Sequence, residues 1–317
     1  MSNFDQPIDI EDQIASMKKY VVFSKKIKMK RFISYTGYFR TSRYGKFLLS
    51  YTNITKTKPS QELLFAVYDF DVELRKLFFH YCKKAEIQFK SYLANAVSIK
   101  ENNPVFYLDK TFYTETKGEN DKNKKASNRN YFNNKFFKNI VLDERKLRTN
   151  VNKYPELKEY RTGGQRAKKK IPCWAAFSYF EFGAITNIYA YLRGDLRKVV
   201  LKYGYSQKNY GKETTKQVDT WLDAIRNLRN VCAHHNKLVG RTSSVVLLDA
   251  TDDPSLLASD TDLFSRLYAL KKILREEDSK ILKKELKKII DKAKFNIYQF
   301  NILPDNWEEL FDGIKSL

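Results

Sequence analysis

The sequence predicts a mainly α-helical chain with little strand. Apolar residues recur at helical spacing over long windows, near 63–93, 218–232 and 263–289, and alternating apolar–polar runs of strand length are nearly absent. No segment repeats at a fixed period, which excludes a solenoid or propeller. With 317 residues and 42% hydrophobic content, the chain can bury a sizeable core as one large domain or two.

In chain order, residues 9–33 read as a basic amphipathic helix with Ile10, Ile14, Met17, Val21 and Val22 on one stripe. The next stretch, SYTGYFRTSRYGKFLLSYT, is punctuated by Gly37 and Gly45. Tyr38, Arg40, Arg43 and Tyr44 interleave rings with cations there, a pattern that suits RNA contact and equally a Tyr-rich packing elbow. From Ser60, a helix cap, to Lys100 a wide apolar face runs through Leu64, Leu74, Phe78, Phe89 and Leu93. Asp69 and Asp71 diverge in direction on such a helix, so they are expected as salt-bridge or cap partners rather than an acid/base couple.

Residues 101–130, with the run TETKGENDKNKKASNRN, read as a mobile loop. Helix returns near 131–150. The segment EYRTGGQRAKKK is no P-loop, since its Gly pair does not precede GK[ST]. Its Arg161, Arg166, Lys168, Lys169 and Lys170 fit a flexible phosphate-contacting loop near 160–170 or a solvated charge run. Pro172 opens a long apolar helix in which Gly183 permits close approach of another helix. SSVVLLDA is a short strand or extended connector, 261–294 is a further basic amphipathic helix, and the tail carries ILPDNWEELFD. These segments divide the chain into an N-terminal basic and aromatic helical region (1–60), a main helical domain (61–300) and a C-terminal tail (301–317).

The stretch 218–241 carries the chemistry. On a helical projection Val218, Trp221, Leu222, Leu228 and Cys232 share the face of Ile225, while Asp223, Asn227, Asn230 and His234 lie opposite. Arg229 stands at the border of the two faces. Arg229-Asn230-Val231-Cys232-Ala233-His234 has the form RNxxxH and places a cation, an amide and an imidazole within one and a half turns. The bare spacing is equally compatible with Arg229 paired to a core acid and with histidines solvated at a helix end.

Composition narrows the partners. Fifty-nine Lys and Arg against 37 Asp and Glu give a formal charge of +22, which points to a polyanion, and 21 Tyr and 22 Phe supply rings for stacking on unpaired bases. Cys82, Cys173 and Cys232 are odd in number and form no CxxC, which favours a reducing cytoplasm over a disulfide scaffold. Three His and three Cys, scattered, predict no metal site, and no cofactor motif is present. The polar, acidic start and the absence of any run of 18 apolar residues predict neither secretion nor membrane spanning.

Four blocks, in order, resemble the Abi-like (AbiD/AbiF) abortive-infection family of phage-defence proteins. Gly37-Tyr38-Phe39-Arg40 is similar to its GYYR-like segment, and Tyr68-Asp69-Phe70-Asp71 with Leu74-Arg75 to its YxFDxxLR helix. Pro172, Trp174 and Phe182-Gly183 match its PxW…FG helix, and 228–238 its LRNxCAHHxxL signature. Arg241, which aligns with a family arginine, joins the expected RNA contacts. The chain departs from the pattern in Val239-Gly240, where an aromatic residue and Asn are common, and in Ser178, where an acid four residues after Trp174 is expected; Glu181 follows three positions later.

The resemblance implies a helical bundle of the HEPN type, like that of the type VI CRISPR nucleases, for the main domain. It also implies a homodimer with motifs meeting at its interface, metal-independent RNA cleavage and partnership with a small noncoding RNA. In that chemistry Arg229 neutralises the phosphorane, Asn230 holds the imidazole or the RNA backbone, and His234 moves the proton of the 2′-hydroxyl or of the leaving oxygen. Three functions remain from the sequence: a metal-independent endoribonuclease in phage defence, an RNA-binding ribonucleoprotein component with an inactive motif, and a helical DNA-binding or interaction protein. A recognition-helix signal for the last is absent.

Overall fold

A computed structural model describes residues 7–51, 57–150, 152–160, 170–206 and 210–317. Among them are thirteen α-helices and no strand, as the periodicity predicts. The axis of the molecule is one 41-residue helix. Three short helices precede it, α1 (Ile10–Met17), α2 (Lys26–Thr36) and α3 (Tyr38–Leu49), and it is α4 (Gln61–Glu101). Ser60 caps it as expected, its Oγ accepting from the N–H of Leu63 at 3.1 Å. Asn102, in the left-handed region at φ 47°, ends it.

The remaining helices are α5 (Lys122–Tyr131), α6 (Phe137–Thr149), α7 (Cys173–Tyr179), α8 (Phe182–Tyr191), α9 (Gly194–Gly204), α10 (Lys212–Ala233), α11 (Leu263–Ile273), α12 (Glu276–Asp291) and α13 (Trp307–Gly313). α4 packs against α3, α7, α8, α9, α10, α11 and α12, which is why its buried positions turn through so much of its circumference. One buried cluster runs from Ile14 to Leu317, with Trp307, Phe311 and Ile314 of the terminal segment inside it.

Several sequence expectations are corrected. Residues 9–33 form two helices, because the intervening chain bonds to the entry of α4: the N–H of Val22 donates to the carbonyl of Pro59 and that of Gln61 to the carbonyl of Val22. The 101–130 segment is not a loop. It contains two 3₁₀ turns, Phe106–Leu108 and Lys110–Phe112, and α5, and it buries Phe106, Tyr107, Phe112 and Tyr113. These aromatics anchor a segment whose polar half alone suggested mobility. The apolar run after Pro172 breaks at Phe180 and Glu181, and 261–294 breaks at Leu274 and Arg275.

The SSVVLLDA stretch is an extended connector. Its backbone is bonded by side chains of α10 and by the loop before α11. Trp221 Nε1 and Gln217 Nε2 donate to the carbonyls of Leu247 and Leu248, each at 2.7 Å, and the N–H groups of Ser243 and Val246 donate to the carbonyls of Thr261 and Asp260. The fully buried ammonium of Lys272 on α11 pins the end of this connector, 2.8 Å from Asp249 and 3.0 Å from Asp252.

Candidate active site

The motif helix α10 is fixed in place by two buried acids of α4. Asp71 accepts four bonds. Its Oδ1 takes the backbone N–H groups of Leu238 (2.9 Å) and Val239 (2.7 Å), and its Oδ2 takes the Tyr44 hydroxyl (2.6 Å) and Arg75 Nε (2.8 Å). It is thus the salt-bridge partner that the sequence suggested, and it also ties the loop after the motif to α3 and α4. Tyr44 is correspondingly buried and its ring is closed to RNA, so the packing reading is the correct one for this residue.

Glu86, the second acid, binds Lys90 at 2.8 Å and stands 3.7 Å from Nε of Arg229. That separation is an ion pair too long for a hydrogen bond, and Arg229 Nε is buried without a hydrogen-bond partner. Arg229 Nη1 donates to Asn230 Oδ1 at 3.2 Å. The guanidinium is therefore held along one edge while about a third of the side chain remains exposed. The acid near Arg229 is not supplied by the helix of Trp174: Ser178 is exposed and bonds back to the Trp174 carbonyl, and Glu181 is exposed. The legible signal for Glu86 is a carboxylate on the apolar stripe Phe78–Cys82–Glu86, which demands a buried cation.

His234 is the C-cap of α10 and is exposed. Its backbone N–H donates to the Asn230 carbonyl at 3.0 Å, which keeps it on the helical register. Among the described residues its imidazole makes no hydrogen bond, so the fold brings Arg229 and Asn230 together and leaves His234 one turn beyond Asn230. His235 turns off at φ 53°. The N–H of His235 bonds the carbonyl of Cys232 and that of Asn236 the carbonyl of Val231, a Schellman termination in which His235 fills the left-handed position. The histidine doublet therefore splits into one surface imidazole and one helix terminator.

Beyond the terminator the chain returns to α3. Lys237 lies over the ring of Phe47, 4.5 Å from its centroid, and burial pushes its pKa down to about 8, with Arg43 and Arg241 adding repulsion. Gly240 (φ 64°) is required here, because a Cβ would stand 2.4 Å from Phe47. The unusual Val239-Gly240 pair is thereby explained: Val239 is buried and its N–H serves Asp71, while Gly240 clears the ring.

Of the residues expected to touch RNA, Arg43 and Arg241 are exposed and gather with Lys237 near the motif. Arg40 is half-buried and Tyr38 is partly buried against the core. Lys170 lies 3.8 Å from Glu144 of α6. Arg161, Arg166, Lys168 and Lys169 lie outside the described residues. On α2 and α3 the rings that face solvent are Tyr35 (88% exposed) and Phe39 (74%), the latter under Arg43 at 5.2 Å. Sequence reasoning passed over them because neighbouring tyrosines looked equivalent before burial was known.

On the other side of Glu86, a groove of about 440 Å³ is lined by Lys83, Ile87, Lys90 and Trp174, with Trp174 55% exposed. The close approach expected at Gly183 is not required by the packing: a Cβ there would meet only Arg226 Cδ of α10, at 3.6 Å, an ordinary contact. The three cysteines are buried and unpaired, and burial raises the Cys232 thiol to about 12. Among the described residues no group of three His, Cys, Asp or Glu could hold a metal ion, and no helix is long and apolar enough to cross a membrane.

The buried Asp71–Arg75 pair, the GYFR helix and the motif thus converge on one structure. A family model described as Abi-like protein matches residues 31–239, and this span holds all three. The chain belongs to the Abi-like protein family. Membership carries an abortive-infection role in defence against phage. No curated protein and no solved structure matches the chain. Within this Abi-like chain the matched region ends at Val239, where Asp71 receives its last backbone bond.

Proposed function

We propose that this Abi-like protein is a metal-independent endoribonuclease built on a HEPN-like site, with Arg229, Asn230 and His234 as its reacting-centre residues. The observation that carries the reading is the Arg229 guanidinium, paired with buried Glu86 yet about a third exposed and bonded to Asn230, with an exposed imidazole ending the same helix. An arginine serving only the core would spend all its donors inside.

In the proposed reaction the 2′-oxygen attacks the adjacent phosphorus while an imidazole accepts its proton. The bond from phosphorus to the 5′-oxygen breaks, and that oxygen takes a proton from a second acid. The products are a 2′,3′-cyclic phosphate and a 5′-hydroxyl, and Arg229 neutralises the charge that builds on the phosphorane oxygens. One α10 offers one such imidazole, so a homodimer in which two α10 helices meet would supply both base and acid. The groove of Ile87 and Trp174 beside Glu86 offers apolar surface for that contact. Arg43, Lys237, Arg241 and the exposed rings Tyr35 and Phe39 are suited to hold the strand by phosphate contact and stacking.

The test is cleavage of labelled RNA by His234→Ala and Arg229→Ala proteins. Both are expected to bind RNA and to lose cleavage, with EDTA without effect on the native protein; full cleavage by His234→Ala would sink the proposal. A second reading, an RNA-binding ribonucleoprotein component partnered by a small noncoding RNA, is favoured by the charge of +22 and by the separation of His234 from Arg229. It is selected if both variants retain phage protection.

A further inference from the structure

A second polar cavity, of about 350 Å³, opens between α8 and α10 on the N-terminal side of the motif. It has the size of a small-ligand site, and one of its lining residues, Asp219, carries a buried oxygen with no hydrogen-bond partner. Asp219 of α10 uses Oδ2 for Arg197 at 2.7 Å, whereas its Oδ1 is buried with no donor. Burial raises its pKa against the pull of Arg197 and Lys117. A buried acceptor left open costs free energy that a ligand donor would recover.

The cation facing it is delivered by strained backbone. Lys117 sits at φ 53°, in the left-handed region that lysine avoids, and its ammonium lies 4.6 Å from the centroid of the Tyr191 ring. Its one hydrogen bond, to Asn187 Oδ1, is long at 3.4 Å, and burial lowers its pKa. The strain is sustained by bonds that fix the segment beside α8: the N–H of Thr114 donates to the Tyr191 carbonyl, and that of Arg193 to the Phe112 carbonyl. Such strain, held by surrounding structure, marks ligand clamps. Arg226, bonded to Asp223 and to Thr186, closes the motif side.

We propose that this cavity binds a guanine base, with Asp219 accepting from its N1–H and N2–H₂ groups and Lys117 donating to O6. Guanine alone among the four bases presents two adjacent donors beside an acceptor on its Watson–Crick edge. Adenine and cytosine place an acceptor nitrogen next to their amine, which would face the carboxylate, and uracil has no amine. Asp219, Asp223, Arg226, Asn230 and His234 lie along one face of α10. Fifteen positions separate Asp219 from His234, about 22 Å along the axis, or several nucleotides of strand. The base is carried either by RNA or by a free guanine nucleotide. The RNA form rests on the ribonuclease reading, whereas the base chemistry does not.

The experiment titrates the full-length protein with GMP, AMP, CMP and UMP, and with hexamer RNAs that contain or lack guanine. Guanine ligands are expected to bind at least tenfold more tightly than the others. Asp219→Asn and Lys117→Ala should each erase that preference while far-UV circular dichroism stays unchanged. Lys117 is on a surface turn, so its variant folds even if loss of the Asp219–Arg197 pair disturbs the other. GMP binding without any RNA binding leaves the guanine site standing, supplied by a free nucleotide, and removes the RNA reading. RNA binding with no guanine preference and no GMP binding overturns the site and leaves the RNA reading intact. An unchanged preference in both variants also overturns it.

Discussion

The Nε of Arg229 stands 3.7 Å from a carboxylate oxygen of Glu86, and the two residues come from helices that cross in the core. The same carboxylate holds Lys90 at 2.8 Å and Lys83 at 3.4 Å, so a single acid on α4 faces three cations while leaving the guanidinium partly exposed. Glu86 is thus a positioning residue for the proposed chemistry. Glu86→Ala is expected to lower RNA cleavage about a hundredfold or more, since loss of alignment alone is worth that much. RNA affinity should change little. Glu86→Asp, which keeps the charge but shortens the reach, should fall between, and cleavage equal to wild type in Glu86→Ala would remove the positioning role.

Asp71 supports the other side of the motif. Asn in its place has one oxygen for four donors and turns an N–H₂ group toward them, leaving Arg75 buried without its counter-charge. Asp71→Asn should destabilise the fold by about 3–5 kcal/mol. Chemical unfolding measures this, and Tyr44→Phe, which removes one of the four donors, should cost only about 1 kcal/mol.

Lys237 gives a pH signature. Its folded pKa of about 8 lies below that of an unfolded lysine, near 10.4. Between the two the unfolded chain binds more protons, so this residue makes stability rise with pH across that window and contributes nothing further above it. Subtracting the profile of Lys237→Met from that of the native protein should isolate a rise beginning near pH 8. RNA affinity, if Lys237 meets phosphate, should fall through the same range in the native protein alone.

His235 holds a left-handed position that glycine fills at lower cost. His235→Gly is expected to stabilise the protein by up to about 1 kcal/mol and to leave RNA cleavage unchanged. Loss of cleavage equal to that of His234→Ala would show that the second imidazole takes part after all.

The shared site of the proposed dimer is tested by subunit mixing. Native and Arg229→Ala/His234→Ala protomers are exchanged in equal amounts at constant total protein, with exchange verified by two tags. A shared site leaves about one quarter of the activity, because mixed pairs are dead, whereas independent sites leave about one half.

The sequence by itself determined the helical class, the cap at Ser60, the apolar face of α4 and the chemical character of the motif. Each is written in spacing: 3.6-residue periodicity survives any tertiary arrangement, and Arg229, Asn230 and His234 lie within one and a half turns of a single helix. Family membership was legible for the same reason, since its blocks are local. Burial and long-range partners were not. Phe106 and Phe112 fixed a segment that looks solvated when its lysines and asparagines are read alone, and the break between α7 and α8 fell inside an unbroken apolar run.

Only the tertiary structure decided that Tyr44 is a buried donor to Asp71 while Phe39 is a surface ring, because both sit on one short helix whose orientation is set by α4. It likewise decided that Arg229 answers to Glu86, 143 positions earlier, rather than to an acid near Trp174. It also showed Val239 and Gly240 to be the backbone donor and the clearance that Asp71 and Phe47 require. A carboxylate buried on an apolar stripe announces that a partner must exist, but which cation reaches it depends on how two helices cross, and no local pattern encodes that crossing.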